Sequence, residues 1–163
     1  MAACFFGIDK MSGIIYNTSM ATQYRIVIDT NVMVAAMRSR RGASYALLML
    51  LGKNKFTPCI SVPLVLEYEK LLNDKKHVLP FRKSEIAVVL DYICSVSEHT
   101  KIYYLWRPFL RDPKDDMLIE LAVASESNFI VTFNIKDFGA IEEQFGIKAI
   151  TPGEFLGKIG GLP

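Results

Sequence analysis

The sequence predicts an α/β fold whose parallel sheet is covered on both faces. Short β-branched runs without polar interruption recur, above all Ile26-Val27-Ile28 and Phe129-Ile130-Val131. A continuous apolar run bounded by polar residues suits a strand buried on both faces, whereas a half-exposed strand would alternate. Between such runs lie stretches with apolar residues at helical spacing, so strands alternate with helices. A length of 163 residues fits one domain with a substantial core.

Residues 1–22 are small and polar in composition (Ser12, Gly13, Asn17, Thr18, Ser19). The apolar piece at Phe5-Phe6 is too short for the core of a signal peptide, and no basic segment precedes it. This stretch reads as a leader outside the fold, with Met11 and Met20 as alternative starts; the domain spans 23–157 and a tail follows at 158–163. The first strand ends in Asp29-Thr30-Asn31, and residues 31–37 read as a helix. Arg38-Ser39-Arg40-Arg41-Gly42 is a basic turn. A Leu/Met-rich helix over 43–52 ends at Gly52, a residue suited to the position after a helix. Phe56 to Ile60 form a second strand.

Ser61-Val62-Pro63 opens the next helix, with Ser61 as N-cap and Pro63 in the first turn. Its apolar stripe is Leu64, Val65, Tyr68, Leu71 and Leu72. At about 100° per residue from Leu64, the stripe centres near roughly 40° and Glu67 falls near roughly −60°. Glu67 therefore flanks the stripe, where it can look across the rim of the sheet. Residues 73–83 form a basic loop containing Lys75 and Lys76, and Ser84-Glu85 starts a helix to about Val96. Lys101 to Trp106 reads as β-like. Arg111-Asp112-Pro113-Lys114-Asp115-Asp116 precedes a nearly all-apolar helix to Ala124. Asn128 to Thr132 is another buried strand, followed by a loop with Asn134, Lys136, Asp137 and Phe138. Gly146 to Ile150 is a last short strand and Pro152 to Leu156 a terminal turn. Four to five strands result, with no repeat and no low-complexity tract.

Composition narrows the function classes. Apolar residues at 51% and charged residues at 22% are ordinary for a globular chain, and no apolar run approaches a membrane span. The net charge of +2 hides an asymmetry: residues 23–83 hold 11 Lys/Arg against 4 Asp/Glu, whereas residues 84–163 hold 7 against 12. A basic half beside an acidic half suits a polyanion held next to a metal site, and solvated surface helices account for the same counts. Cys4, Cys59 and Cys94, like His77 and His99, lie too far apart for a zinc site or a Cys–His dyad. The cysteines read as small hydrophobes in a reducing compartment.

The chemistry lies where carboxylates meet element ends. In an open α/β sheet, ligands bind beyond the carboxyl ends of the strands. Asp29 stands there, and parallel strands put Asn134 at the same edge. Asp115 and Asp116 can join them, and Glu67 sits one and a half turns into its helix. Oxygen ligands without His or Cys suit a hard cation such as Mg²⁺ or Mn²⁺, which serves phosphodiester hydrolysis. Several of these residues also suit plain structural roles. Asp29 or Thr30 can cap the following helix, Asp112-Pro113-Lys114-Asp115 is a good helix start, and Asp137 can begin the next one. Asp116 lies past the capping positions and before a buried run, so its carboxylate needs a partner.

These residues together resemble the PIN-domain family, in particular the toxin components of bacterial toxin–antitoxin pairs. The resemblance runs over about residues 24–157. It is carried by Ile28-Asp29-Thr30-Asn31, by Ser61-Val62-Pro63-Leu64-Val65-Leu66-Glu67-Tyr68, by Arg111-Asp112-Pro113-Lys114-Asp115-Asp116 through Ala122, and by Ile130-Val131-Thr132-Phe133-Asn134 with Lys136-Asp137-Phe138. It implies a three-layer α/β/α sandwich and a Mg²⁺- or Mn²⁺-dependent ribonuclease leaving 5′-phosphate and 3′-hydroxyl ends. It also implies a cognate antitoxin, a homodimer and a cytoplasmic setting. By position, Asp29, Glu67 and Asp116 form the acidic triad, with the neighbouring Asp115 an alternative to Asp116. Asn134 stands where the family often has a fourth Asp, and Asp137 could substitute. Thr30, Asn31 and Thr132 are then expected to support ligand or substrate, and Arg38, Arg40, Arg41, Lys75 and Lys76 to contact the RNA backbone. Asn134 also admits an alternative: a PIN fold with weakened chemistry that binds RNA or protein. No dinucleotide fingerprint, Walker loop or Gly-x-Ser-x-Gly elbow is present, and Asn31 excludes the Asp-x-Asp start of aspartyl phosphotransferases.

Overall fold

Ile26, Val27, Ile130 and Val131 have no solvent-exposed surface, and their two strands lie side by side at the middle of the sheet. Each fully buried aliphatic side chain is worth about 1.5–3 kcal/mol, so strands of only three or four residues hold by burial on both faces. In this computed structural model, residues 23–74, 79–107 and 115–160 are described. The chain order is β1 (Arg25–Ile28), α1 (Thr30–Arg38), α2 (Ala43–Met49), β2 (Thr57–Ile60), α3 (Val62–Leu72), α4 (Lys83–Val96), β3 (Glu98–His99), α5 (Asp116–Ala124), β4 (Phe129–Val131), a 3-10 turn (Ile135–Phe138), α6 (Ile141–Phe145), β5 (Lys148–Ile150) and α7 (Pro152–Lys158). All five strands are parallel, in the order β3-β2-β1-β4-β5. The predicted α/β fold with a central parallel sheet is therefore present.

α5 packs against β1, β2 and β4. Its residues Leu118, Ile119, Leu121 and Ala122 are buried, which explains why its sequence is apolar nearly all round. α7 docks by Phe155, whose ring meets Phe56, Phe129 and Tyr24 edge-on at 5.3, 5.8 and 6.4 Å. Among the described residues no helix is long and apolar enough to cross a membrane.

Three local expectations change. Lys101 to Trp106 form no strand; the ladder ends after Glu98–His99, where Glu98 pairs with Cys59. Beyond it Tyr103, Tyr104 and Leu105 are exposed, so the aromatics here do not mark burial. Ser61 is the N-cap residue of α3, yet its buried hydroxyl makes no capping hydrogen bond and finds no partner. α2 stops at Met49, three residues before Gly52, although Gly52 does take the left-handed backbone (φ 72°) expected of a chain reversal. The Asp112 cap, Lys75 and Lys76 lie outside the described residues.

Arg25 explains why the edge strand sits at Glu98. Its guanidinium donates to both Glu98 carboxylate oxygens at 2.6 and 2.5 Å and to the Ser125 carbonyl at 2.6 Å. It thus links β1 to β3 and to the turn before β4. The hydrogen bond from Arg25, together with its charge, lowers the Glu98 pKa. A carboxylate depressed in the folded state stabilises above its unfolded pKa of about 4.3, and that contribution is lost as pH falls through the folded value. Because the pair is half-exposed, Glu98→Gln should cost no more than about 1 kcal/mol at pH 7 and nothing in strong acid. Urea unfolding at both pH values checks this.

Candidate active site

The chain runs from β1 outward to β2 and β3, then returns across β1 to place β4 and β5 on its other side. The ends of β1 and β4 therefore meet at a topological switch point, where open α/β sheets form a crevice. The register pairs Ile28 with Val131, which sets Asp29 beside Thr132. The Asp29 backbone N–H donates to the Val131 carbonyl at 2.9 Å and locks that alignment.

Asp29 is buried, and its carboxylate is surrounded by donors. Thr132 Oγ1 donates to Oδ2 at 2.6 Å. Oδ1 accepts from Thr30 Oγ1 at 3.1 Å and from the Asn31 backbone N–H at 3.4 Å. The last contact makes Asp29 the N-cap of α1, so capping and a place in the site coexist in one residue. Thr132 is fully buried, and its hydroxyl also accepts from Asn31 Nδ2 at 3.3 Å and the Asn134 backbone N–H at 3.0 Å. One donor and two acceptor positions are all a hydroxyl has, so Thr132 is committed to holding Asp29. Asn31 Oδ1 completes the net by accepting from the Phe133 backbone N–H at 3.5 Å.

A cleft of about 180 Å³ opens beside this net, lined by Asp29, Thr30, Glu67, Leu71, Asp115, Met117 and Leu118. α3 brings Glu67 to the rim, half-buried and 3.3 Å from Lys70, as its helical angle predicts. α5 begins at the same edge. Asp115, its N-cap residue, lines the cleft, whereas Asp116 is fully buried and absent from the lining. Asn134 and Asp137 are exposed and lie off the cleft. Arg38 is exposed in the last turn of α1, roughly 13 Å from Asp29 by helix rise, and Arg40 and Arg41 are exposed in the turn beyond it.

The donor set of this cleft is all oxygen, the chemistry a hard cation takes. Among the described residues no group of three His, Cys, Asp or Glu side chains forms a ready-made cage. Mg²⁺ does not require one, since it keeps several waters and takes one or two protein carboxylates. The residues present therefore fit such an ion through Asp29 with a second carboxylate across the cleft.

Two residues near the site escape the sequence reading. Glu120, one turn beyond Asp116, is 1% exposed yet ionic: Arg107 binds its two oxygens at 3.0 Å each, and the Trp106 backbone N–H donates at 3.1 Å. Hydrogen bonding to Glu120, and further the Asp116 charge, raises the Arg107 pKa. A lone Glu inside Met117-Leu118-Ile119-Glu120-Leu121-Ala122 is itself a sign that a partner is needed. Tyr68 is the other; it reads as one more member of an apolar stripe, but its hydroxyl donates to the Ile28 carbonyl.

A five-stranded parallel sheet with carboxylates gathered at its switch point defines the class: the family model described as PIN domain matches residues 25–136, and the chain belongs to the PIN-domain family. Among solved structures it is similar to VapBC2 from Rickettsia felis bound to a DNA fragment from their promoter. That match has a TM-score of 0.53 and 20% identity, and it covers 78% of this chain and 98% of that one. At this identity the likeness speaks for the fold alone. A comparison with curated proteins found no match.

Proposed function

We propose that this PIN domain is a divalent-metal-dependent endoribonuclease and the toxin of a toxin–antitoxin pair. The observation that carries the nuclease reading is the cleft that Asp29, Glu67 and Asp115 line together at the switch point of the sheet. Asp29 would hold the cation, with Asp115 or Asp116 from α5 as the second carboxylate. A hard divalent cation supplies a more acidic water and neutralises charge on the phosphate and the leaving oxygen. Glu67, from α3, would complete the shell of the ion or orient the attacking water. Thr30, Asn31 and Thr132 hold the Asp29 carboxylate in place. Hydrolysis in this sense leaves a 5′-phosphate and a 3′-hydroxyl. Arg38, Arg40 and Arg41 would contact the RNA backbone beyond the cleft.

The toxin role rests on the motifs that resemble toxin components; with it come a cognate antitoxin, a homodimer and a cytoplasmic setting. Asn134, exposed where family members often carry Asp, favours a second reading: an RNA- or protein-binding module with weakened chemistry. One experiment separates the two. RNA cleavage by the purified chain should vanish with EDTA and return with Mg²⁺ or Mn²⁺ in a saturable way. RNA binding without saturable metal binding or cleavage would favour the module.

A further inference from the structure

We propose that Tyr68 is a positioning residue of this site, tying the helix that carries Glu67 to the strand end that carries Asp29. The inference rests on the nuclease reading. Tyr68 follows Glu67 directly and is 2% exposed. Its hydroxyl donates to the carbonyl of Ile28, the residue immediately before Asp29. A single hydrogen bond thus joins the neighbours of two carboxylates that line one cleft.

The bond reaches a place the sheet leaves open. The paired register of β1 and β2 ends at Ile26 with Pro58, two residues before Ile28. Past that point, among the described residues, β1 has no paired residue on its β2 side, and the tyrosine of α3 reaches its carbonyl instead. The apolar stripe of α3 asks only for a hydrophobe at this position; the hydroxyl is additional, and burying one without a partner is costly.

The geometry has a consequence for the cleft. α3 packs mainly against α1, α4 and α5. The Tyr68 hydrogen bond ties it also to the end of β1, and so helps to fix the separation of Glu67 from Asp29. Supporting residues of this kind typically change metal affinity or activity by about 10–100-fold when altered.

Tyr68→Phe keeps the ring and removes only the hydroxyl. Mn²⁺ affinity, read directly from the electron paramagnetic resonance of free Mn²⁺, should fall about tenfold, and kcat for RNA cleavage by a similar factor. KM for RNA should stay within about twofold, because the phosphate-contacting surface is untouched. Leu72→Val, in the buried face of the same helix, is the control: it should lower the melting temperature and leave Mn²⁺ affinity unchanged. A Tyr68→Phe protein with Mn²⁺ affinity and kcat within twofold of wild type would overturn the positioning role, as would a Leu72→Val protein that shows the same loss of affinity. Wild-type protein that neither binds Mn²⁺ nor cleaves RNA would overturn the nuclease reading first, and the positioning role with it.

Discussion

Asp29→Asn should lower metal-dependent RNA cleavage by more than about 100-fold while the fold survives. Residues that merely support a metal ligand are worth about 10–100-fold, so the ligand itself should exceed that range. The substitution removes the charge and one acceptor oxygen. Asn is as good an N-cap as Asp, so its amide oxygen can keep the Asn31 backbone N–H. Its amide nitrogen then faces Thr132 Oγ1, which loses its acceptor there, at a cost of about 1–3 kcal/mol. The expected result is therefore a normal circular dichroism spectrum with a lowered melting temperature beside a near-complete loss of turnover and of Mn²⁺ binding. Cleavage at the wild-type rate would remove Asp29 from the site.

Thr132→Val has the second largest expected effect, and it acts on stability and activity together. Valine matches the shape of threonine but supplies no hydroxyl. Asp29 Oδ2 would lose its donor, and the Asn134 N–H and Asn31 amide would lose their shared acceptor. Leaving a buried polar group unsatisfied costs about 1–3 kcal/mol. Turnover should drop about 10–100-fold because Asp29 loses the group that aims it. Thr132→Ser restores the hydroxyl and should recover most of the turnover, which separates the hydrogen bond from packing. Urea unfolding and single-turnover cleavage of the pair measure both effects.

The sequence makes some of this site readable and hides the rest. Ile26-Val27-Ile28 and Phe129-Ile130-Val131 announce two doubly buried strands by short, β-branched apolar runs bounded by polar residues. From those strands follows the meeting of Asp29 and Thr132, separated by 103 residues in sequence. The helical angle of Glu67 likewise predicts its place at the rim. Direction beyond a helix start is less readable: Asp115 and Asp116 are adjacent, yet one lines the cleft and the other is buried. Side-chain partners supplied by irregular segments are the hardest to see. Arg107 lies 13 residues before Glu120, in a stretch without regular secondary structure, and no periodicity connects them. The aromatic run from Tyr103 to Trp106 misleads for the same reason, because aromatic content signals a strand only when a neighbour is there to pair with it. Capping and ligation at Asp29, finally, look like rival roles in the sequence. In three dimensions a carboxylate has two oxygens, and each takes its own set of donors.

The central place of β1 has a consequence for how the protein comes into being. Its strand leaves the ribosome first, but its β4 neighbour and Thr132 emerge 103 residues later. At synthesis rates of about 5–20 residues per second, that delay is roughly 5–20 s. Throughout it the nascent chain carries Asp29, and later Glu67, without the strand that aligns them. A polypeptide that stops before β4 has the carboxylates but lacks Thr132, the residue that holds Asp29. Emergence of β4 is thus a timing step: a protein that cuts RNA in this way would have its carboxylates aligned only once that strand has been made.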